Sequence, residues 1–272
     1  MASNCDHTRL SVGAKPEEGE IKPRPHYGRS SLLARFKALL KNPVSLLSWI
    51  WTKSDEFVLG IRTGPESPIF YEQEPWRAAV FSKNARHSDN WRYSTISYWY
   101  LRKILRVVKP GSEDVFYDIG CGMGRVLCVA AQKPVRKCVG VELLEPLCQV
   151  ARRNATRLRG RKAPIQIIHG DATTADLSEG TIYFMFNPFG PETLRDTLDN
   201  IRCSLAQKPR TVKVVYYNSK HQSVLEGLEW LVKLHEFDRF GGHPVTIWEN
   251  RGAEDGRAFR EATWRELRRK SG

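Results

Sequence analysis

The stretch Val115-Phe-Tyr-Asp-Ile-Gly-Cys-Gly-Met-Gly-Arg125 joins an apolar run to three glycines at alternate positions. A short apolar run bounded by glycines is typical of a buried strand, and glycine accepts the backbone conformations that a tight turn requires. Backbone N–H groups at the start of a following helix are free to bind a ligand. The stretch therefore predicts a strand, a ligand-binding turn and the start of a helix.

The region after this turn alternates short apolar runs with helical patterns. That alternation favours a parallel sheet covered by helices on both faces. The last two strand-like runs are joined by Gly241-Gly242-His243, which indicates an antiparallel hairpin. The predicted strands are 115–119, 137–142, 165–168, 181–186, 211–217, 230–238 and 244–249, and the predicted helices are 124–133, 145–159, 191–206 and 219–227.

The region before the turn combines helical patterns with turn residues. Apolar residues at helical spacing predict a helix from Leu32 that ends at Asn42-Pro43, followed by a short apolar turn to Trp51. A loop is predicted after it, with Gly60, Gly64, Pro65 and Pro68. Another helix is predicted over 91–108 and ends at Lys109-Pro110-Gly111. The predicted organisation is a flexible leader (1–28), a helical extension or lid (29–110), a ligand-binding domain (111–250) and a basic tail (251–272).

Polar residues stand at the ends of the first four predicted strands of this domain. Parallel strands place their carboxyl ends at one edge of the sheet, where ligands bind in folds of this class. An acidic residue at the end of the second strand is suited to accept hydrogen bonds from two ribose hydroxyls. Each residue alone also suits a turn or a helix cap, but four together indicate a binding site. They are Asp118, Glu142, Asp171 and Asn187.

These motifs resemble those of the class I S-adenosylmethionine-dependent methyltransferases, over roughly residues 90–250. The resemblance implies a Rossmann-like seven-stranded, mostly parallel sheet with helices on both faces. It also implies S-adenosyl-L-methionine as the cofactor, with Glu142 on the ribose and Asp171 accepting from the adenine amine. The cofactor-binding residues are then Asp118, Gly120, Cys121, Gly122, Gly124, Glu142, Leu143, Asp171, Ala172, Asn187 and Tyr93.

Asn187-Pro188-Phe189 is similar to the family's fourth motif, which faces the transferred methyl group. The resemblance therefore makes Asn187, Pro188 and Phe189 candidate catalytic residues. Members that methylate amines often carry a second Pro in this motif, which is missing here, although some lysine methyltransferases of this fold have an Asn and a Phe at the same place. We expect in-line transfer of a methyl group to an amine or a hydroxyl, without a metal.

Within the family, the Gly-Cys-Gly-x-Gly-Arg turn and the Asn-Pro-Phe motif resemble a largely uncharacterised branch of bacterial-type methyltransferases. The upstream stretches 55–64 and Tyr93-Ser-Thr95 resemble the same branch, which implies no particular substrate. Candidate proton acceptors near the site are His87, Asp89 and His221. The aromatic residues Trp91, Tyr93 and Phe189 suit either a wall of the site or the core.

The chain carries a formal net charge of +13, and residues 1–110 hold 18 Lys and Arg against 10 Asp and Glu. A basic flank suits an anionic partner, although an ordinary solvated surface has the same composition. We favour a small-molecule or protein acceptor and keep as the alternative an RNA or DNA methyltransferase that uses its basic flanks. We expect segment 30–51 to pack on its own domain, with contact to a membrane surface as the second interpretation. The basic run 152–162 is interpreted as a solvated face rather than a phosphate site.

Two other function classes agree less well with the sequence. A NAD-dependent oxidoreductase needs Gly-x-Gly-x-x-Gly, whereas the third glycine here is Gly124 and Arg125 follows it. A non-catalytic binding module does not need the glycine turn together with Glu142 and Asp171. The six cysteines form no Cys-x-x-Cys pair, and no apolar run is long enough to span a bilayer, so we expect a cytoplasmic protein.

Overall fold

A computed structural model describes residues 43–64, 94–237 and 243–250 of the 272-residue chain. From Ile50 onward the described residues belong to one compact unit. The predicted leader, the helix predicted from Leu32 and the predicted basic tail lie outside the described residues. No helix in these ranges is both long enough and apolar enough to cross a membrane.

The described strands form a seven-stranded sheet in the order β3-β2-β1-β4-β5-β7-β6. Neighbours among β1 to β5 are parallel, and β7 runs antiparallel to both β5 and β6. This topology confirms the predicted Rossmann-like sheet with its C-terminal antiparallel hairpin. The strands are β1 Val115–Ile119, β2 Lys137–Glu142, β3 Ile165–His169, β4 Ile182–Phe186, β5 Lys213–Tyr217, β6 Leu231–Phe237 and β7 Val245–Asn250. The helices are α1 Pro43–Leu59, α2 Tyr98–Val108, α3 Arg125–Ala130, α4 Glu145–Arg157, α5 Pro191–Gln207 and α6 Gln222–Glu226.

The two faces of the sheet carry two separate apolar clusters. Successive residues of a strand point to opposite faces, and every residue of β1 is buried. Phe116 packs in one cluster with residues of α2 and α3, whereas Val115 and Tyr117 pack in the other with residues of α5 and α6. Helices therefore cover both faces, as the alternation of strand and helix patterns predicted.

The register of the central strands brings the predicted polar residues to one edge. Asp118 in β1 lies opposite Gly140 in β2, and Glu142 at the end of β2 lies opposite His169 at the end of β3. Gly140 is required by packing, because a Cβ atom there would lie 2.5 Å from Leu127 Cδ1. The tight contact between α3 and β2 fixes the turn above this edge of the sheet.

The short apolar turn predicted up to Trp51 is part of a longer helix, because α1 continues to Leu59, and the predicted loop follows this helix from Gly60. Pro43 is the first residue of this helix, a position where its missing N–H is not needed. The part of α1 after Trp51 does not show the apolar spacing of a helix, because its buried residue Glu56 is held by hydrogen bonds and not by apolar contacts. Gly60, at a φ of 74°, follows the last helical residue.

The helix predicted over 91–108 starts later than expected. Residues 94–97 are not helical, α2 begins at Tyr98 after the extended residue Ser97, and residues 91–93 lie outside the described residues. Ile96 continues the apolar pattern but is buried outside the helix, with its carbonyl bonded to Arg125. The predicted end is confirmed, since Lys109 adopts a φ of 52° after the last turn.

Candidate active site

The turn between β1 and α3 contains three glycines with positive φ. The φ angles are 74° at Gly120, 53° at Gly122 and 80° at Gly124, where residues with side chains are strained. A Cβ atom on Gly124 would also lie 3.3 Å from Cβ of Ala151 in α4. The turn therefore presents backbone without side chains at the carboxyl edge of the sheet. It leads into α3 and packs against α4.

Glu142 is bonded directly to this turn. Its Oε2 accepts a hydrogen bond from the Gly122 N–H at 2.8 Å, and its Oε1 accepts one from the Leu144 N–H at 3.0 Å. Burial raises the pKa of Glu142, while the backbone hydrogen bonds from Leu144 and Gly122 oppose that rise. A carboxylate has about four acceptor positions, so at least one remains for a hydroxyl of a ligand.

Asp118 is a buried carboxyl group that faces another acid. Burial raises the pKa of Asp118 well above its ordinary value, and the negative charge of Glu142 raises it further. Among the described residues, no group donates a hydrogen bond to the Asp118 carboxylate, and no cation is paired with it. A buried charge without a partner is costly, so this position favours a ligand that brings a positive group.

Asn187 follows β4 and has a positive φ of 38°, which asparagine tolerates better than most residues. Its side chain is buried, and its Oδ1 accepts a hydrogen bond from the Tyr216 hydroxyl at 2.7 Å. The next residue, Pro188, contacts the glycine turn, because a Cβ atom on Gly120 would lie 2.7 Å from Pro188 Cβ. Phe189 packs in the apolar core cluster that also contains Tyr216. The fourth motif and the glycine turn therefore form one continuous surface.

Asp171 stabilises the turn that follows β3. Its Oδ1 accepts hydrogen bonds from the Thr173 N–H at 2.9 Å and from the Thr173 hydroxyl at 2.8 Å. The carbonyl of Ala172 accepts a hydrogen bond from Asn200 at 3.0 Å. On the other side of this turn, the Leu143 carbonyl bonds with His169 Nε2 at 3.1 Å. The predicted contact of these residues with an adenine ring stays a prediction.

Cys121 lies inside the turn as a packing residue. Its Sγ would be 2.6 Å from a Cβ atom on Gly140, so the thiol fills the space that this glycine leaves. Burial raises the pKa of Cys121 well above its ordinary value, and the Asp118 charge adds to the effect. The thiol therefore stays protonated, which is typical of an inert buried cysteine. The other buried free cysteines are Cys128, Cys138 and Cys148.

A buried polar network connects the residues before the sheet to the glycine turn, and the sequence analysis did not predict it. Arg125, directly after Gly124, donates from Nε to the Thr63 hydroxyl at 2.7 Å and from Nη1 to the Ile96 carbonyl at 2.9 Å. Its Nη2 lies 3.4 Å from Oε1 of Glu56. All the charge in this network is thus paired and hydrogen-bonded, as buried charge requires.

The same network is completed by Thr63, Tyr98 and Asn154. The Thr63 N–H and hydroxyl both donate to Glu56 Oε1 at 2.8 Å, and the Tyr98 ring lies under the Arg125 guanidinium. Asn154 of α4 bonds with the N–H and the carbonyl of Arg62 and with the carbonyl of Met123 in the turn. The stretch 56–63 is therefore a fixed part of the site's framework.

The other residues that the sequence analysis singled out are partly outside the described residues. His87, Asp89, Trp91 and Tyr93 lie outside the described residues. His221 precedes α6, beside β5, and its Nε2 is buried without a hydrogen-bond partner in the described part of the chain. The six basic residues of the run 152–162 are all exposed, which agrees with a solvated face. They are Arg152, Arg153, Arg157, Arg159, Arg161 and Lys162.

The groups at this edge fit S-adenosylmethionine. The cofactor has an ammonium group, a ribose diol and a positively charged sulfur centre. Asp118 is a buried carboxyl group without a cationic partner, and Glu142 keeps an acceptor position open beside the bare backbone of the glycine turn. An edge of carboxyl groups that accept hydrogen bonds suits a cationic nucleoside, whose positive charge favours their ionised form.

Comparison with known proteins agrees with this chemistry. Residues 80–171 match the family described as histone methylation protein DOT1. A protein-lysine N-methyltransferase of Saccharolobus islandicus (strain REY15A) is 34% identical over 87 residues, which are 32% of this chain and 53% of that protein. The chain thus spans about half the length of the curated relative that it matches.

Solved structures of similar chains include an RNA methyltransferase from Salinibacter ruber in complex with S-adenosyl-L-homocysteine. It has a TM-score of 0.46 and 23% identity, and the match covers 58% of this chain and 94% of that chain. A TehB-like SAM-dependent methyltransferase from Corynebacterium glutamicum has a TM-score of 0.44 and 15% identity, over 65% of this chain and 94% of that chain. The family and sequence matches agree with the resemblance to methyltransferases.

Proposed function

We propose that this chain, whose central domain is that of a class I S-adenosylmethionine-dependent methyltransferase, transfers a methyl group to the side-chain amine of lysine in a protein. The observation that carries the proposal is the buried Asn187 amide, which precedes Pro188, the residue in contact with the glycine turn. An amide oxygen accepts a hydrogen bond from a neutral amine and leaves the nitrogen lone pair for the reaction. The descriptions of the matched family and of the matched relative support the same acceptor.

The roles of the site residues follow from their chemistry. The cofactor supplies an electrophilic methyl group on a positively charged sulfur, so the protein mainly positions the reacting groups. In this proposal Glu142 accepts from the ribose hydroxyls, and Asp118 pairs with the ammonium of the cofactor. Asp171 and Ala172 border the adenine, and the Asn187 oxygen aims the amine along the line of the methyl–sulfur bond.

The acceptor amine must be neutral before it reacts. A lysine in water has a pKa near 10.4, so most of it is protonated at neutral pH. An amide oxygen accepts from both amine states, whereas a carboxylate at the same position would stabilise the ammonium form. We therefore expect the rate of methyl transfer to rise with pH through the neutral range.

The test is methyl transfer from tritiated S-adenosylmethionine to defined acceptors. The purified chain is incubated with poly-L-lysine, a mixture of small basic proteins, acetylated poly-L-lysine and transfer RNA, and the products are hydrolysed. We expect labelled N-methyl-lysine from the first two acceptors and none from acetylated poly-L-lysine. Label that enters only the RNA would contradict the lysine proposal and support the nucleic-acid alternative, and calorimetry with the cofactor alone reports on binding independently.

A further inference from the structure

Tyr216 connects the fourth motif to the turn after β5. Its side chain is fully buried, and its hydroxyl lies 2.7 Å from Oδ1 of Asn187. Burial raises the pKa of Tyr216 to about 12, and a backbone hydrogen bond from His221 opposes the rise. Tyr216 therefore keeps its proton at neutral pH and lies between two groups of the site.

The direction of the hydrogen bond to Asn187 is fixed by the chemistry of the groups. The Tyr216 hydroxyl is the donor to Asn187, because an amide oxygen can only accept a hydrogen bond. The single proton of the Tyr216 hydroxyl is then available for Asn187, which must present its oxygen and not its amide nitrogen. A hydroxyl that gives its hydrogen bond to the amide oxygen thus selects one of the two orientations of the amide.

We propose that Tyr216 is a positioning residue, which holds the Asn187 amide so that its second oxygen lone pair faces the acceptor amine. This inference rests on the proposed function and adds to it a residue that does not touch the acceptor. With the amide reversed, the Asn187 NH₂ would donate a hydrogen bond to the lone pair of the neutral amine and withdraw that lone pair from the reaction. Tyr216 therefore acts through Asn187 on the orientation of the nucleophile.

Two buried polar atoms on the same turn support the presence of a ligand next to Tyr216. Ser219 is 6% exposed, and its Oγ has no hydrogen-bond partner among the described residues. The buried Nε2 of His221 also has none within those ranges. Buried polar groups are nearly always hydrogen-bonded, so we assign this turn, 218–221, to the border of the acceptor site.

The test replaces Tyr216 with phenylalanine and measures binding and turnover separately. In Tyr216→Phe we expect kcat for poly-L-lysine to fall about tenfold or more, which is the loss of one well-placed hydrogen bond. We expect Kd for S-adenosylmethionine to change less than about threefold, since the Asn187 amide is proposed to face the acceptor and not the cofactor. An unchanged kcat would overturn the proposal, and so would an equal loss in cofactor affinity.

The matched control is Tyr183→Phe. Tyr183 is equally buried, but its hydroxyl donates to the Leu177 carbonyl at 2.5 Å and accepts from Arg210 at 2.8 Å, away from the strand ends that form the site. This variant should lose stability and keep kcat. A parallel loss of kcat in both variants would mean that Tyr216 only supports the core.

The orientation of Asn187 is also measurable without an acceptor. The side-chain amide resonances of Asn187 in the NMR spectrum should shift strongly in Tyr216→Phe and stay unchanged in Tyr183→Phe. Unchanged Asn187 resonances in Tyr216→Phe overturn the positioning role, even if the wild-type chain fails to methylate lysine. Failure of the wild-type chain on every lysine acceptor, with Asn187 reoriented as expected in Tyr216→Phe, instead counts against the proposed function alone.

Discussion

Gly120 and Pro188 are in such close contact that a Cβ atom on Gly120 would lie 2.7 Å from Cβ of Pro188. Gly120 belongs to the turn after β1, and Pro188 belongs to the motif after β4. Because β1 and β4 are parallel neighbours, the two turns meet at the same edge of the sheet. The contact therefore sets the distance between the cofactor-binding turn and the residue proposed to hold the acceptor.

Gly120→Ala should disrupt both turns. The methyl group would collide with Pro188, and the φ of 74° is unfavourable for alanine. We expect a loss of about 2–4 kcal/mol in the free energy of unfolding, measured by urea denaturation. Gly111→Ala is the control, since its Cβ atom would come no closer than 3.8 Å to Asp114 Oδ2. Equal stability of the two variants would show that the Gly120–Pro188 contact is not a constraint.

Glu142→Ala should weaken cofactor binding and leave the fold intact. The change removes the acceptors for the Gly122 and Leu144 N–H groups together with those proposed for the ribose. We expect Kd for S-adenosylmethionine to rise at least about tenfold in calorimetry. Glu145→Ala, which removes an exposed carboxylate paired with Arg152, is the control and should leave Kd unchanged. Unchanged affinity in Glu142→Ala would remove Glu142 from the cofactor site.

Asp118→Asn should stabilise the cofactor-free protein at neutral pH. Because the pKa of Asp118 is raised in the folded state, the stability that its protonated form contributes is fully present below its unfolded value, near 3.8, and is lost as the pH rises through the higher folded pKa. At neutral pH the unfolded wild-type chain gains free energy by ionising Asp118, which burial opposes in the folded state, and the asparagine variant has no such difference. We expect a Tm for Asp118→Asn that lies a few degrees above that of the wild type at pH values near 7.

The same variant should bind the cofactor less well, since the proposed partner of the cofactor ammonium is gone. The affinity of the wild type should rise with pH as Asp118 ionises, and the affinity of Asp118→Asn should lack this rise. Asp199→Asn, an exposed acid on α5 paired with Arg202, is the control and should alter neither quantity. A lower Tm in Asp118→Asn, or an unchanged Kd, would contradict the assignment.

Arg125→Met should be strongly destabilising, because it leaves the buried Glu56 carboxylate without its guanidinium. Removing one partner of a buried pair costs about 3–5 kcal/mol, measured as the change in the free energy of unfolding. The double variant Arg125→Met/Glu56→Gln should recover part of the loss, and the double-mutant cycle measures the coupling. Arg152→Met removes an exposed partner of Glu145 and should cost less than about 1 kcal/mol. Additive losses in the cycle would show that Arg125 and Glu56 act separately.

The sheet and its polar edge were predictable because their signals are local. Strands β1 and β2 are continuous apolar runs, and Asp118 and Glu142 stand at their ends. The role of Arg125 was not predictable, since its partners Thr63 and Glu56 are 62 and 69 positions away. Nothing in the sequence around Arg125 indicates that its side chain contacts α1.

The hydrogen bond between Tyr216 and Asn187 was missed for the same reason. Tyr216 belongs to the apolar pattern of β5, and its hydroxyl meets a residue 29 positions away. The helix α1 was predicted too short because Glu56 is buried by Arg125 and Thr63, so its burial follows from ion pairing and not from an apolar period. Polar networks that join distant segments thus account for the parts of the site that the sequence did not reveal.

Asn187→Ala should lower turnover far more than cofactor affinity, because the amide is proposed to face the acceptor. We expect kcat to fall about a hundredfold, as for other groups that stabilise the reacting centre, while Kd for S-adenosylmethionine changes less than about threefold. Alanine is strained at the φ of 38°, so Asn187→Gly is needed to separate backbone strain from the lost amide. Both variants should show the same fall in kcat if the amide oxygen of Asn187 holds the acceptor. If Asn187→Gly keeps the wild-type kcat, the backbone of the motif and not the amide holds the acceptor.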